Sequence, residues 1–366
     1  MKAFSHYDRD RIGKMCEAAG LYGRAVEHMN STQDIKRVLL NTHAIPKDQL
    51  IQVFGKLEAQ DALASLYDLM KSNRQNVQLV AEVAIAHHDK IPPNKSIEMF
   101  EQFGAFDGLY YFLGHILPHT EDKEIYFKYI TAASKLGKVE EIEKVIRHSK
   151  NYDAERVKDF LMDAKLPDPR PLIYLCDQHG YVEELTKYLY KNKQNRFIEI
   201  YVFKVNNDAA PKVLGTLIDL DCDEIYIKQI LNSIRLCPIE ELVAEFTRRH
   251  KAKLLQGWLE ARANEGNTTV ALHNALAIIY IDINKDPQAF LINNQYYDSK
   301  VVGKYCEERN ADLAYTAYKR AWGSCDEELV QVTNKNYLYR LQARYLVERQ
   351  SDELWAHVLN QQNEHR

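Results

Sequence analysis

Apolar side chains recur at helical spacing along the whole chain, and this pattern predicts an all-α protein. One series with the i, i+3, i+4, i+7 spacing of an amphipathic helix consists of Leu63, Leu66, Tyr67 and Met70. The apolar–polar alternation of a strand is scarce, and its best candidate, residues 278–283, lies inside a longer segment of helical period. Prolines separate the periodic segments. They indicate helix boundaries, because proline lacks an amide N–H and restrains the residue before it.

A long internal repeat divides this helical pattern. Residues 7–17 and 297–307 are identical at six of eleven positions, where about one identity is expected by chance. Tyr152 and Asp153 open another amphipathic segment midway between them, so the period is 145 residues. The predicted units are a first repeat at 1–151, a second repeat at 152–296 and the start of a third at 297–366.

A repeat of this length must contain several helices. With helices of about 11 to 12 residues and short connections, one period accommodates about ten helices, or five antiparallel hairpins. Stacked hairpins form an α-solenoid, in which each layer contacts only its neighbours. About twelve such layers, spaced ~8–10 Å apart, would form a rod about 100–120 Å long. Neither end of the sequence has a polar capping helix, so we expect the chain to be part of a longer solenoid.

Charge and composition exclude several classes of protein. The chain has 48 Lys and Arg against 52 Asp and Glu among 366 residues. A dedicated nucleic-acid binder normally carries a marked excess of basic residues, which is absent here. No apolar run in the sequence reaches the ~18 residues of a membrane span, and the polar start is not that of a signal peptide.

The residues of enzyme and metal sites are not arranged in any familiar pattern. The six cysteines form no Cys-x-x-Cys pair and are expected to be buried free thiols. The spacings among His6, Cys16 and His28 match no common zinc pattern. No glycine-rich phosphate-binding loop occurs. We therefore predict no catalytic residue, no cofactor and no metal, and hence a protein that is not an enzyme.

Two groups of basic residues are the candidates for a contact surface. The first consists of Lys187, Lys191, Lys193 and Arg196, and the second of Arg248, Arg249, Lys251 and Lys253. The ordinary interpretation is a polar helix face that balances nearby acids. The more specific one is a contact with another copy of the molecule or with an anionic membrane surface.

Several long segments resemble the clathrin heavy-chain family. They include Pro-Leu-Ile-Tyr-Leu-Cys-Asp at 171–177, Phe-Ile-Glu-Ile-Tyr-Val-Phe-Lys-Val-Asn at 197–206, and Tyr-Tyr-Asp-Ser-Lys-Val-Val-Gly-Lys-Tyr-Cys-Glu at 296–307. The similarity covers nearly the whole chain and is firmest from about 150 to 310. Two departures are visible: Lys158 and Leu161 replace the glycine and cysteine of the other repeats, and the loop at Trp322 is longer than usual.

The resemblance implies both a fold and a role. The fold would be a right-handed α-solenoid, here from the ankle and distal leg. The role would be structural: legs that contact one another laterally form the polyhedral coat of vesicles in endocytosis and in trans-Golgi and endosomal trafficking. Its partners would be other heavy-chain legs, with light chains and adaptor proteins bound outside this segment. It would lie on the cytoplasmic face of coated pits and vesicles without entering the membrane, and would bind no nucleic acid.

Two alternatives stay open at this point. A subunit of a vacuolar-sorting complex that tethers membranes would have the same fold, but the segments quoted above do not favour it. An enzyme or an RNA-binding solenoid would need site chemistry, or a basic groove with stacked aromatic side chains.

Overall fold

The computed structural model describes residues 7–234 and 237–365, and within these ranges it contains 25 α-helices and no β-strand. The prediction of an all-α protein is confirmed. The chain divides into two compact units, Met1–His179 and Gly180–Arg366. No helix in the described ranges combines the length and apolarity needed to cross a bilayer.

The first unit contains twelve α-helices. They are α1 (Arg9–Ala18), α2 (Tyr22–His28), α3 (Thr32–Leu39), α4 (Lys47–Phe54), α5 (Ala59–Ser72), α6 (Val77–Ala86), α7 (Pro93–Gln102), α8 (Phe106–Ile116), α9 (Lys123–Lys135), α10 (Val139–His148), α11 (Ala154–Ala164) and α12 (Arg170–His179). Short 3₁₀ turns lie at Thr42–Ala44, Arg74–Asn76 and Leu117–His119.

Each helix of the first unit packs mainly against helices one or two positions away in the chain. For example, α6 contacts α4, α5 and α8, and α8 contacts α7 and α9. The side chains at these contacts are fully buried; Phe100 and Phe112, for instance, have ring centroids 6.0 Å apart. This sequential order of contacts is that of stacked helical hairpins.

The second unit contains thirteen α-helices. They are α13 (Val182–Lys191), α14 (Asn195–Ile200), α15 (Ala210–Asp219), α16 (Glu224–Ser233), α17 (Ile239–Arg248), α18 (Gln256–Asn264), α19 (Val270–Asp282), α20 (Pro287–Asn293), α21 (Ser299–Cys306), α22 (Ala311–Arg320), α23 (Asp326–Lys335), α24 (Tyr339–Arg349) and α25 (Asp352–Val358). A π-turn continues α14 at Tyr201–Val205, and 3₁₀ turns lie at Asn207–Ala209 and Ala252–Leu255.

Alternate helices of the second unit form a row. In this row α15 packs against α13 and α17, and α19 packs against α17 and α21. Helices two apart in a series of hairpins run in the same direction. The C-terminal ends of α13, α15 and α17 therefore lie along the same side of the row. The two predicted basic groups therefore lie at the ends of two helices that flank α15.

The repeated Tyr-Asp motif opens three helices that are ten helices apart: α1, α11 and α21. In each case the aspartate is the N-cap, and its carboxylate accepts a backbone N–H: Asp8 from Arg11, Asp153 from Arg156, and Asp298 from Lys300 and Val301. An aspartate at this position satisfies helix N–H groups that have no partner inside the helix. The expected ten helices per period are therefore observed. The repeat boundaries, the handedness and the rod length stay predictions.

Candidate interaction surface

The first basic group lies at the C-terminal end of α13. Lys187 pairs with Glu183 one turn earlier, at 3.8 Å. Lys191 is the last residue of α13, Lys193 follows in left-handed backbone with φ of 57°, and Arg196 lies in the first turn of α14. All four basic side chains are exposed, so the end of this helix carries a cluster of solvated positive charge.

The second group lies at the C-terminal end of α17 and in the turn that follows it. Arg248 pairs with Glu245 at 2.7 Å, and Lys251 pairs with Glu224 at the start of α16 at 3.0 Å. Lys253 is exposed in the 3₁₀ turn and borders a cavity that Trp258 also lines. The acids named here neutralise part of the group.

Arg249 differs from the other seven residues because its side chain bonds to acids of α15 and α17 and is largely buried. Its guanidinium donates two hydrogen bonds to the Asp219 carboxylate, at 2.7 and 2.6 Å, and a further one to Glu245. The Arg249 side chain is only 12% exposed. Gly215 on α15 leaves room for this group, since a Cβ there would lie 2.7 Å from Glu245 Oε2 and 2.8 Å from Arg249 Nη1. A bidentate arginine–carboxylate pair of this kind fixes helix ends in register.

Charges from both basic groups act on the carboxylate of Asp219. Hydrogen bonding to Arg249 lowers the pKa of Asp219, and the charges of Arg249, Arg248 and Lys187 act in the same direction against the effect of burial. Asp219 is therefore within electrostatic reach of both groups. We call the combined surface, formed by the eight basic residues at the ends of α13 and α17, the basic edge.

Half of the basic edge is neutralised by its own acids. Lys187, Arg248, Arg249 and Lys251 have carboxylate partners. Within residues 7–234 and 237–365, no ion pair is formed by Lys191, Lys193, Arg196 or Lys253. These four residues are also exposed, so they are the part of the edge available to a partner.

The sequence did not reveal Asp219, Glu245 and Gly215 as parts of this surface. A usable signal exists in the spacing of opposite charges, because a residue often faces the next layer about 25 to 32 positions away. Arg249 with Asp219 and Lys251 with Glu224 are separated by 30 and 27 residues, and in the first unit Arg156 with Glu124 by 32. Reading acids at this distance from each base would have paired two of the eight candidate residues, Arg249 and Lys251.

The cysteines and histidines do not assemble a second site in the described residues. No group of three or more His, Cys, Asp or Glu side chains there could hold a metal ion. Four cysteines are buried as expected, whereas Cys16 and Cys237 are partly exposed. Burial raises the pKa of Cys306 to about 11, which keeps this thiol protonated and unreactive at neutral pH. His28 contacts Tyr7 at 2.9 Å, and His6 lies outside the described residues.

The profile of one protein family matches almost the whole chain. The family is described as "Region in Clathrin and VPS", and the match covers residues 1–78, 85–225 and 231–366. The chain belongs to this family. The membership confirms the resemblance seen in the sequence, the α-solenoid fold of the clathrin repeat, and the expectation of a structural rather than enzymatic protein.

Clathrin heavy chains are similar to this clathrin-family chain over nearly all of its length. Identity is 50% over 366 residues with the clathrin heavy chain of Dictyostelium discoideum, covering 99% of this chain and 22% of that protein. It is 50% over 365 residues with clathrin heavy chain 1 of Arabidopsis thaliana, covering 99% and 21%. It is 47% over 364 residues with clathrin heavy chain 2 of Homo sapiens, covering 99% and 22%. The chain spans about a fifth of the length of these curated relatives.

Proposed function

We propose that the chain is a structural leg segment of a clathrin heavy chain. In this role it forms part of the polyhedral coat of vesicles in endocytosis and in trans-Golgi and endosomal trafficking, on the cytoplasmic face of coated pits. The observation that carries the proposal is the 50% identity to clathrin heavy chains along 99% of the chain. Identity at this level throughout the chain also favours a coat over a vacuolar-sorting tether, although the family description names both groups.

The mechanism would be mechanical. Because each hairpin layer contacts only its neighbours, a leg built from such layers is stiff over short distances and bends through small rotations between layers. Many weak lateral contacts between legs let a coat assemble cooperatively and later come apart, since avidity multiplies modest affinities. Partners would be other heavy-chain legs, with light chains and adaptors binding elsewhere in the complete protein and no nucleic acid involved.

The unpaired part of the basic edge is a candidate for one lateral contact. Lys191, Lys193 and Arg196 lie together at the end of α13 and are free of ion pairs within the described ranges. A partner leg that presents acids would find these charges already exposed. Arg249 is excluded from this role because its charge is committed to Asp219 and Glu245.

The first experiment is negative-stain imaging of the complete gene product, purified through a tag on the endogenous gene. Three-legged particles that close into cages support the coat. Single rods, or rods in a mixed complex with other subunits, would instead assign the chain to a sorting tether.

The second experiment tests the basic edge in the same protein. Changing Lys191, Lys193 and Arg196 to Glu is expected to lower the yield of sedimentable cages at least tenfold, with an unchanged thermal midpoint. The matched control reverses three exposed lysines of the first unit that also lack ion pairs in the described ranges, namely Lys123, Lys138 and Lys150. Equal cage yields from both triple variants would remove the basic edge from the proposal and leave the coat role in place.

A further inference from the structure

Two adjoining cavities of the second unit form one groove between α18, α19 and α20. Their volumes are about 420 and about 590 Å³, and both are lined by Tyr280, Phe290, Asn293 and Asn294. The larger one is also lined by Glu260 of α18. Ligand sites in proteins commonly have volumes of this order. The α18–α20 groove, as we call it, is therefore large enough for a few residues of a bound peptide.

One oxygen of the Glu260 carboxylate is left for a ligand. Its Oε1 accepts three hydrogen bonds, each of 2.8 Å, from Gln256 Nε2, the Tyr280 hydroxyl and Lys285 Nζ. No group of the described residues donates a hydrogen bond to its Oε2. Burial acts to raise the pKa of Glu260, but these hydrogen bonds and the charge of Lys285 outweigh it, so the pKa is lowered. The carboxylate is therefore ionised at neutral pH.

An internal ammonium shows that the groove accommodates a cation. Lys285 Nζ lies 2.8 Å from Glu260 Oε1 and 5.0 Å from the centre of the Tyr280 ring. The rings of Tyr280 and Phe290 pack with centroids 4.8 Å apart. Carboxylates attract cations through their charge, and aromatic faces attract them through the ring quadrupole. The same groups can bind a cationic side chain of a ligand through the remaining carboxylate oxygen.

The lining of the groove carries more negative than positive charge. Its ionised side chains are Glu260 and Asp286 against Lys285. Asp286 caps α20 and forms no ion pair with any described residue. His273 adds no charge in the observed arrangement, because its Nδ1 accepts from the side-chain amide of Asn294 at 2.9 Å. A cationic ligand is therefore favoured over an anionic one.

The rim of the groove offers amide groups that have no internal partner. Asn264, Asn293 and Gln295 line the larger cavity and are exposed, and their side chains form no hydrogen bond with the described part of the chain. A carboxamide carries both donors and an acceptor, so it can pair with the N–H and the C=O of a peptide unit. The Tyr296 ring, 48% exposed, packs on His273 with centroids 5.0 Å apart and adds a further aromatic face. This combination suits a peptide better than a small cation.

We propose that the α18–α20 groove binds an extended peptide segment of a partner protein, with one lysine or arginine side chain paired to Glu260. The cationic group of the peptide donates to Oε2 and packs against the rings of Phe290 and Tyr296, while the rim amides bond to the peptide backbone. An acidic segment would instead meet Glu260 and Asp286 as like charges. The inference does not depend on the coat role, because it concerns a different partner and a different surface.

The test selects random heptapeptides displayed on phage against the immobilised complete gene product. Sequences that also bind the Asn293→Arg variant are discarded, because the added arginine repels a cation and fills the groove. The remaining sequences should carry lysine or arginine at one fixed position. A synthetic fluorescent peptide of the enriched sequence should bind Asn293→Arg at least tenfold more weakly in fluorescence anisotropy. The matched control is Gln288→Arg, an exposed position of α20 that lines neither cavity, and its affinity should change less than twofold.

A second variant tests the carboxylate itself. Glu260→Gln keeps an oxygen acceptor for Tyr280 but removes the charge, so it should also weaken the peptide at least tenfold, and thermal midpoints of all variants establish that they are folded. Enriched sequences without a basic position, or no enrichment over the Asn293→Arg protein, would overturn the proposal. Displacement of the peptide by an equal concentration of spermidine would overturn it as well, since the groove would then bind any small cation. Cage formation is not a readout here, so a failure of the coat role leaves this result unchanged.

Discussion

Helices α11 and α21 begin with the same motif and differ in their second turn. Both start after a Tyr-Asp pair, with Tyr152 and Tyr297 buried and the following aspartate capping the helix. Asp298 accepts N–H groups from two residues, at 2.8 and 3.0 Å, whereas Asp153 accepts one, at 3.1 Å. The capping aspartate satisfies backbone N–H groups in the first turn of its own helix. The motif can therefore recur in repeats whose neighbouring layers differ.

The difference concerns the fifth residue of each helix. In α21 this residue is Gly303, where a Cβ would lie 2.3 Å from the Tyr318 ring. In α11 the equivalent residue is Lys158, which is buried, and the residue one period before Tyr318 is Ile173. One period apart, a glycine–tyrosine contact is thus replaced by a lysine and an isoleucine, while the helix start stays the same.

The largest expected effect comes from adding a methyl group at Gly303. Gly303→Ala should lower the free energy of unfolding by about 2–3 kcal/mol, because Tyr318 is fully buried and its hydroxyl bonds to Glu307 at 2.6 Å, so the ring has no free space to move into. Urea denaturation followed by circular dichroism measures the change.

The matched control for this variant is Gly257→Ala in α18. A Cβ at Gly257 has nothing within 4 Å, so alanine should raise the stability by about 0.5 kcal/mol through the unfolded chain. If Gly303→Ala were as stable as this control, the contrast between α11 and α21 would have no basis in packing.

The second expected effect tests the two caps against each other. Asp298→Ala should cost about 1.5 kcal/mol and Asp153→Ala about 0.5–1 kcal/mol, since the first removes two hydrogen bonds and the second removes one. Thermal unfolding of both variants at neutral pH gives the difference. Conservative Asn variants should recover most of each loss. Equal costs at the two sites would show that the number of capping bonds does not matter here.

These helices show which features of the fold the sequence contains. The Tyr-Asp motif, the 145-residue period and the expectation of about ten helices per period come from local periodicity, which a single sequence records directly. The contact between Gly303 and Tyr318 cannot be predicted from local periodicity, because it depends on how one helix rotates against the next. The same holds for Lys158, whose burial contradicts the usual exposure of lysine.

The candidate surface, too, could be predicted from the sequence only in part. The basic groups at 187–196 and 248–253 are visible in the sequence, and their exposure follows from helical polarity. That Arg249 lies inside while Arg248 lies outside depends on Asp219 of another layer. The left-handed backbone of Trp322, with φ of 37°, could not be predicted either, since nothing in the residue order indicates a positive φ for tryptophan.

The third expected effect concerns the two buried tyrosines. The Tyr297 hydroxyl donates to the Leu291 carbonyl at 2.9 Å, so Tyr297→Phe should cost about 1 kcal/mol at pH 7. Tyr152 reaches its acceptors only at 3.3–3.4 Å, and Tyr152→Phe should cost less. Unfolding in urea at neutral pH separates the two, and equal losses would contradict the geometry.

Alkaline pH should shrink the loss caused by Tyr297→Phe. Burial raises the pKa of Tyr297 to about 12, above the value of ~10 for an unfolded tyrosine. Its contribution is therefore complete below pH 10 and decreases as the pH rises toward 12, because only the unfolded state ionises in that window. The phenylalanine variant lacks this ionisation, so its stability should approach that of the unmodified protein between pH 10 and 12.

The smallest expected effect concerns the connections that follow the two helices. Lys165 closes α11 in left-handed backbone with φ of 47°, whereas α21 ends earlier and Asn310 caps the next helix through the N–H groups of Asp312 and Leu313. Lys165→Gly should raise the free energy of unfolding by about 0.5–1 kcal/mol, because glycine adopts positive φ without strain. Asn310→Gly should instead lower it by a few tenths of a kcal/mol, since glycine cannot accept the capping bonds. Shifts of the same sign in urea unfolding would contradict the difference between a left-handed C-cap at Lys165 and a hydrogen-bonding N-cap at Asn310.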